Sequence, residues 1–252
     1  MTFPVAIHIG HSTVLLHNIC EFAGIFIAFR YYLFLKRRQG DTIAYYNRIY
    51  VVIAAIFGAV AGSHLLGALE NVPEWHAAAS PLSYFYNNKT LVGGLLGGLL
   101  FVEITKKLVK EKQNTGDLFV YPLLLGMIIG RIGCFSVGVY EETYGLPSTF
   151  PWAMDLGDGI ARHPVALYEI LFLALLWLSL RWYEVGHTLV QGARFKIFMI
   201  TYLVFRLLLD LIKPGWRYLF GLGSIQLACL AGLFYYIRYI MQPALLVAKK
   251  RN

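Results

Sequence analysis

Apolar residues in this chain gather into long runs, with polar residues between them. Seven runs approach the roughly 20 residues that carry a helix across a bilayer. They are Thr13–Leu35, Ile49–Leu69, Leu91–Thr105, Leu118–Val139, Pro164–Trp182, Lys196–Ile212 and Leu222–Met241. The third is short. The pattern predicts an all-α, polytopic membrane bundle of about seven helices, one integral membrane domain over residues 1–252. Gly-x-x-x-Gly pairs at Gly58/Gly62, Gly93/Gly97, Gly94/Gly98 and Gly126/Gly130 predict close helix–helix contact.

Composition agrees. Of 252 residues, 58% are apolar and only 14% charged, against about a quarter charged in an ordinary soluble domain. A soluble chain of this size has no interior large enough for so much apolar surface. Three cysteines, Cys20, Cys134 and Cys229, lie inside apolar runs and read as small core residues. No Cys/His spacing indicates a zinc site or a disulfide framework, and neither metal nor cofactor is expected. The first residues carry no basic stretch, so the first helix is expected to insert and remain.

The net charge of +8 is uneven along the chain. Lys36, Arg37, Arg38 and Arg48 follow run one, and Lys106, Lys107, Lys110 and Lys112 follow run three. Arg181, Arg194 and Lys196 follow run five, while Arg238 and Lys249, Lys250 and Arg251 close the chain. The opposite side has only Lys89, Arg162, Lys213 and Arg217. By the positive-inside rule the N-terminus is outside and the C-terminus cytoplasmic. The same asymmetry accounts for the basic pI without any nucleic acid as partner.

An ionisable group inside a span costs roughly 3 kcal/mol, so each asks for a partner or a function. His17 and Glu21 share a helix face near the outer end of run one, as Arg206 and Asp210 do in run six, with Lys213 continuing that face. His64, Arg131, the Arg162-His163-Pro164 segment, Glu169 and Gln226 fall at similar depth. Arg30 is the exception and snorkels to the cytoplasmic interface. Such a set suggests a cavity near the outer leaflet, where paired guanidinium groups suit a phosphate. Two local ion pairs, Arg206–Asp210 and His17–Glu21, are the plainer reading of the same residues. Trp75, Tyr84, Tyr86, Trp152 and Trp216 read as interfacial aromatics, and Glu141, Glu142, Asp155 and Asp158 as solvated loop acids.

Several motifs resemble the prolipoprotein diacylglyceryl transferase family in order and approximate spacing. They are Gly130-Arg131-Ile132-Gly133-Cys134-Phe135, Tyr144-Gly145, Pro151-Trp152-Ala153 and Arg162-His163-Pro164-Val165-Ala166-Leu167-Tyr168-Glu169. Leu91-Val92-Gly93-Gly94-Leu95, Phe205-Arg206 with Asp210, and Gly223-Ser224-Ile225-Gln226-Leu227 extend the likeness. It runs from run three to run seven and reaches run one through Gly24. The family's seven helices and outward N-terminus match what the charge count gives separately.

The resemblance implies transfer of a diacylglyceryl group from phosphatidylglycerol to the lipobox cysteine thiol of a preprolipoprotein, in the bacterial cytoplasmic (inner) membrane. A thioether forms and glycerol phosphate leaves. The partners implied are phosphatidylglycerol, the preprolipoprotein signal peptide and the bilayer. Arg131 and Arg206 match signature arginines and suit the leaving phosphate. Asp210 stands where the family has Glu and would orient Arg206. Arg162, His163, Glu169 and Gly145 would hold the outer loop or touch the headgroup glycerol. Val92 replaces the family's histidine and Cys134 its asparagine, while His17 aligns with a family tyrosine. His17, with Glu21 beneath it, is the best candidate base for the thiol, and His163 the second. Two alternatives remain at this stage: a related transferase with another acceptor or phospholipid, and a non-catalytic lipid-binding membrane protein.

Overall fold

The computed structural model describes residues 3–9, 12–141 and 143–248. Glu142 and the basic tail Lys249, Lys250 and Arg251 lie outside the described residues. The molecule is all-helical apart from two short hairpins. One hairpin, β1 (Ala6–Ile9) with β2 (Ser12–Leu15), leads directly into α1 (Leu16–Gln39). Thr13, expected to open the first helix, is instead in this hairpin: Ser12-Thr13-Val14 is β-branched or polar and pairs across to Ala6–Ile9.

After α1 come α2 (Tyr45–Ala68), the short α3 (Val72–Ala77) and α4 (Pro81–Asn87), and α5 (Leu91–Leu108). Then follow α6 (Val120–Val137), the hairpin β3 (Met154–Asp155) with β4 (Ala161–Arg162), α7 (Val165–Gly186) and α8 (Ala193–Leu209). The chain closes with α9 (Ser224–Tyr235) and α10 (Ile237–Met241). Each of the seven apolar runs contains a helix. Among the described residues, four segments are long and apolar enough to cross a membrane: α1, α2, α7, and residues 117–140 containing α6. Run seven does not form one continuous helix. It breaks at Tyr236, whose N–H turns to the carbonyls of Gly232 and Leu233.

Two backbone approaches organise the bundle. Along α2 and α5, Gly58 and Gly62 face Gly97 and Gly93 so closely that a Cβ on Gly62 would lie 2.3 Å from the Gly93 carbonyl oxygen. Only glycine tolerates that approach, as the spacing predicts. Gly126 meets Ala28 of α1, and the Gly130 backbone nears Gly24, but a Cβ on Gly130 would point into open space, so only Gly126 is required by the approach. Tyr121, Leu124, Leu173, Phe198, Tyr202 and Leu203 fill the centre between α6, α7 and α8. Meanwhile Phe22, Phe26 and Phe29 of α1 and Ile53, Ile56 and Val60 of α2 stand exposed. Such a mantle is what acyl chains solvate and water does not.

The alternation of helix directions sorts the polar groups into two ends. At one end α1, α5, α7 and α9 begin while α2, α6 and α8 finish. The opposite end carries Lys36, Arg37, Arg38, Arg48, Lys106 and Lys107.

Candidate functional site

Glu169, one turn into α7, is 1% exposed and is the centre of the site. Its Oε2 lies 2.9 Å from Nε of Arg131 on α6 and 3.5 Å from Nη1 of Arg206 on α8. Its Oε1 accepts a 2.8 Å hydrogen bond from the Tyr202 hydroxyl. Three helices thus bring two guanidinium groups and a phenol to one carboxylate. The expected convergence of Arg131 and Arg206 is present, but its agent is not the expected one. Asp210 does not hold Arg206. Its carboxylate accepts from Arg217 at 3.1 Å, and Lys213 turns to Glu70 at 3.3 Å instead of continuing the Arg206 face. Asp210 begins a 3-10 turn, and the chain beyond it folds back to bring Arg217 within reach.

One carboxylate cannot satisfy two guanidinium forks, which together carry ten N–H donors. The buried Nε of Arg206 has no hydrogen-bond partner among the described residues. Arg131 reaches the other way as well, its Nη1 donating to the sulfur of Cys134 at 3.4 Å. Unspent donors in a dry place make a strong anion site.

Cys134 belongs to a second group at the same end. Its sulfur, the His17 imidazole and the Glu141 carboxylate offer ligating atoms within 4.8 Å of one another. His17 Nε2 stands 3.6 Å from Glu141 Oε1 and 3.8 Å from Glu21 Oε2. Glu21 is itself held by Lys89 at 2.7 Å. Gly133 makes this meeting feasible: a Cβ there would lie 2.8 Å from Cys20 Cβ and 3.2 Å from His17 Cα, so α1 and α6 close tightly. Two expectations are corrected here. Cys134 is not a plain core residue. Glu141 is not a freely solvated loop acid; burial lifts its carboxyl above the ordinary value, with His17 pulling against it. A Cys, a His and a carboxylate also meet here without any local spacing to announce them, because they come from residues 17, 134 and 141.

The remaining predicted residues build the surrounding loop. Arg162 pairs with Asp158 at 2.6 Å and lies over the Tyr144 ring. The backbone N–H groups of Gly157 and Gly159 hold Asp155 below its ordinary carboxylate value, and Arg162 does the same for Asp158. His163 Nδ1 lies 3.1 Å from the Tyr168 hydroxyl, and its carbonyl accepts from the Gly145 N–H. A Cβ on Gly145 would strike His163 at 2.6 Å, so this glycine serves loop packing. Among the described residues, the hydrogen bonds and ion pairs of Arg162 and His163 run within this loop and not to Glu169. Tyr202, Arg217 and Gln226 complete the picture. Arg217 donates to Asp210, to the Lys213 carbonyl and to Gln226, and so ties the loop before α9. Tyr202 was visible only as an aromatic one turn before Arg206; nothing local pointed to Glu141.

A largely apolar cavity of about 690 Å³ runs along α5 beside α2, α6 and α9. It extends from His64 and Lys89 at the site end to Lys106 and Arg238 at the other. Lys89 is its link to the site, through Glu21.

The family model for prolipoprotein diacylglyceryl transferase matches residues 4–242. A phosphatidylglycerol–prolipoprotein diacylglyceryl transferase of Bordetella bronchiseptica is 30% identical over 225 residues, covering 83% of this chain and 82% of the relative. The protein of that name from Nitratidesulfovibrio vulgaris is 33% identical over 191 residues, 71% of each chain. That from Polynucleobacter necessarius is 28% identical over 260 residues, 94% of each. The chain belongs to the prolipoprotein diacylglyceryl transferase family.

Proposed function

From that membership and the geometry of the Glu169 cluster, we propose that the protein transfers a diacylglyceryl group from phosphatidylglycerol to the lipobox cysteine thiol of a preprolipoprotein signal peptide. It does so as a seven-span protein of the bacterial inner membrane, N-terminus outside. The observation that carries this reading is the pair of guanidinium groups from separate helices meeting on one buried carboxylate with donors to spare. The basic end of the bundle faces the cytoplasm, so the site faces the outer leaflet, where the anionic headgroup lies.

In this reaction the acceptor sulfur attacks a glyceryl carbon. A C–S bond forms, the C–O bond to phosphate breaks, and its electron pair leaves with glycerol phosphate. The diester becomes a monoester, so negative charge grows on the phosphate oxygens. Arg131 and Arg206 take up that charge from fixed positions, which is where preorganised donors contribute most. Glu169 holds both guanidinium groups in place, and Tyr202 holds Glu169. Asp210 acts at one remove, fixing Arg217 and the loop over α8. Glu21, Arg162, His163 and Gly145 shape the rim that receives the peptide. His17 marks where the thiol loses its proton; a free imidazole there takes it directly. The long cavity beside α5 suits acyl chains.

The test is conversion of a lipobox peptide to its diacylglyceryl form by membranes carrying the protein, with phosphatidylglycerol supplied. Conversion that depends on Arg131 and Arg206 supports the reading, and its absence with every phosphatidylglycerol offered overturns it. A transferase of the same class with another acceptor or phospholipid is the second reading. It is favoured by Val92, fully buried where the family motif has histidine.

A further inference from the structure

The thiol of the acceptor must reach the thiolate state beside Arg131, and the family's histidine is absent at Val92. The groups gathered next to Arg131 are His17, Cys134 and Glu141, partly buried and drawn from the start of α1, the last turn of α6 and the turn beyond it. Imidazole, thiolate and carboxylate are the ligand types of zinc. Three protein ligands with a fourth position open is the pattern of a catalytic rather than a structural zinc site. We propose that His17, Cys134 and Glu141 bind one zinc-class divalent cation, whose open position takes the lipobox cysteine sulfur. This rests on the transfer reading above and deepens it.

The fit is close. Bonds of about 2.0 to 2.3 Å in a tetrahedron place ligand atoms about 3.5 Å apart. The three atoms already lie within 4.8 Å, and His17 Nε2 and Glu141 Oε1 at 3.6 Å. Thiolate and carboxylate together neutralise a divalent ion. The neighbouring guanidinium of Arg131 pairs with Glu169, the carboxylate it shares with Arg206. Glu21 also faces His17, and it is itself paired with Lys89.

With His17 held by the cation instead of acting as the base, a thiol entering the open position loses its proton to water at the outer rim, since metal-bound thiols are deprotonated. The bound sulfur then forms the C–S bond, and the C–O electron pair leaves with the phosphate toward Arg131 and Arg206. The thioether product is neutral and a weak ligand, which frees the position. Zinc is redox-inert, so no oxidant or reductant is required. Arg131 joins the two halves, since it touches both Cys134 and Glu169.

The experiment uses the full chain in detergent, stripped of metal and titrated with Co²⁺ and then Zn²⁺. One equivalent of Co²⁺ should give a thiolate-to-metal absorption band and tetrahedral visible bands, displaced by one equivalent of Zn²⁺. Cys134→Ser, His17→Ala and Glu141→Gln should each weaken Zn²⁺ binding by about 100-fold or more. Cys20→Ser and Cys229→Ser should keep the band and serve as folding controls. A lipobox peptide should add to the thiolate band, and its serine analogue should not. No band in the wild-type protein, or equal weak binding by all variants, overturns the proposal. Undiminished lipid transfer by protein verified metal-free overturns the catalytic role while the transfer reading stands. Tight, Cys134-dependent metal binding without any transfer upholds the site and overturns the transfer reading.

Discussion

The two ends of the bundle handle arginine in opposite ways. At the basic end, among the described residues, Arg48 and Arg194 each pair with a carboxylate that no second guanidinium shares. Arg48 grips Asp41 with two 2.7 Å bonds and gives a third, at 2.9 Å, to the Thr115 carbonyl. Burial raises the Asp41 carboxyl, but the bonds from Arg48 outweigh it and hold the group below its ordinary value. Arg194 pairs with Glu184, which also accepts from Tyr121. At the site end Arg131 and Arg206 share one carboxylate, and Arg206 Nε is left over. A closed network serves stability; an open one serves a ligand. The sharing is what separates the proposed binding site from a structural ion pair made of the same residue types.

Substitution at each end is the direct way to break that contrast. Arg206→Ala or Arg131→Ala should lower the transfer rate by about 10²–10³-fold, close to 4 kcal/mol at the upper end, with the protein still inserted in the membrane. Activity surviving both changes removes the arginines from the reaction. Arg48→Ala at the basic end strands a buried carboxylate. It should cost about 3 kcal/mol of stability with little change in rate per folded molecule, read by thermal unfolding in detergent beside the peptide assay. A rate loss as large as that of Arg206→Ala would erase the distinction between the ends.

Tyr202→Phe sharpens the comparison. Losing one hydrogen bond to a carboxylate should cost about 1.5 kcal/mol, and the freed Glu169 should slow transfer through the placement of both arginines. The smallest effect belongs to the outer loop. Asp155 accepts backbone bonds from Gly157, Asp158 and Gly159. Because its folded pKa is depressed below 3.8, its contribution is present above that value and is lost as the pH falls through the folded pKa. Amide exchange at Gly157 and Gly159 should therefore be protected near neutral pH relative to an Asp155→Asn variant, and the difference should vanish in acid.

Much of this was readable along the chain. The seven apolar runs each contain a helix, and the glycine pairs of α2 and α5 meet as their spacing implies. Arg131, Arg206 and Glu169 are the residues the motifs singled out. Spacing misled where two partners lay one turn apart on the same helix. Arg206 and Asp210 read as a pair, yet each turns to another segment: Arg206 to α7, and Asp210 to the loop before α9. Local spacing carries no information about side-chain direction once a tertiary partner competes. The grouping of His17, Cys134 and Glu141 was illegible for a related reason. It depends on α1 and α6 closing at Gly133, across more than a hundred residues of intervening chain.

The glycine seam of α2 and α5 has a mechanical consequence. Backbones in van der Waals contact along four glycines have no side chains to re-rotamerise, so these two helices can only move as a single plank. A twin-tailed molecule arriving sideways from the bilayer cannot wedge between them. On the proposed reading it enters instead by the long hollow that α2 and α5 line together, whose far end is closed by the broken segment at Tyr235 and Tyr236. The stiffness of the seam thereby leaves the groups across the hollow, not the plank itself, to yield.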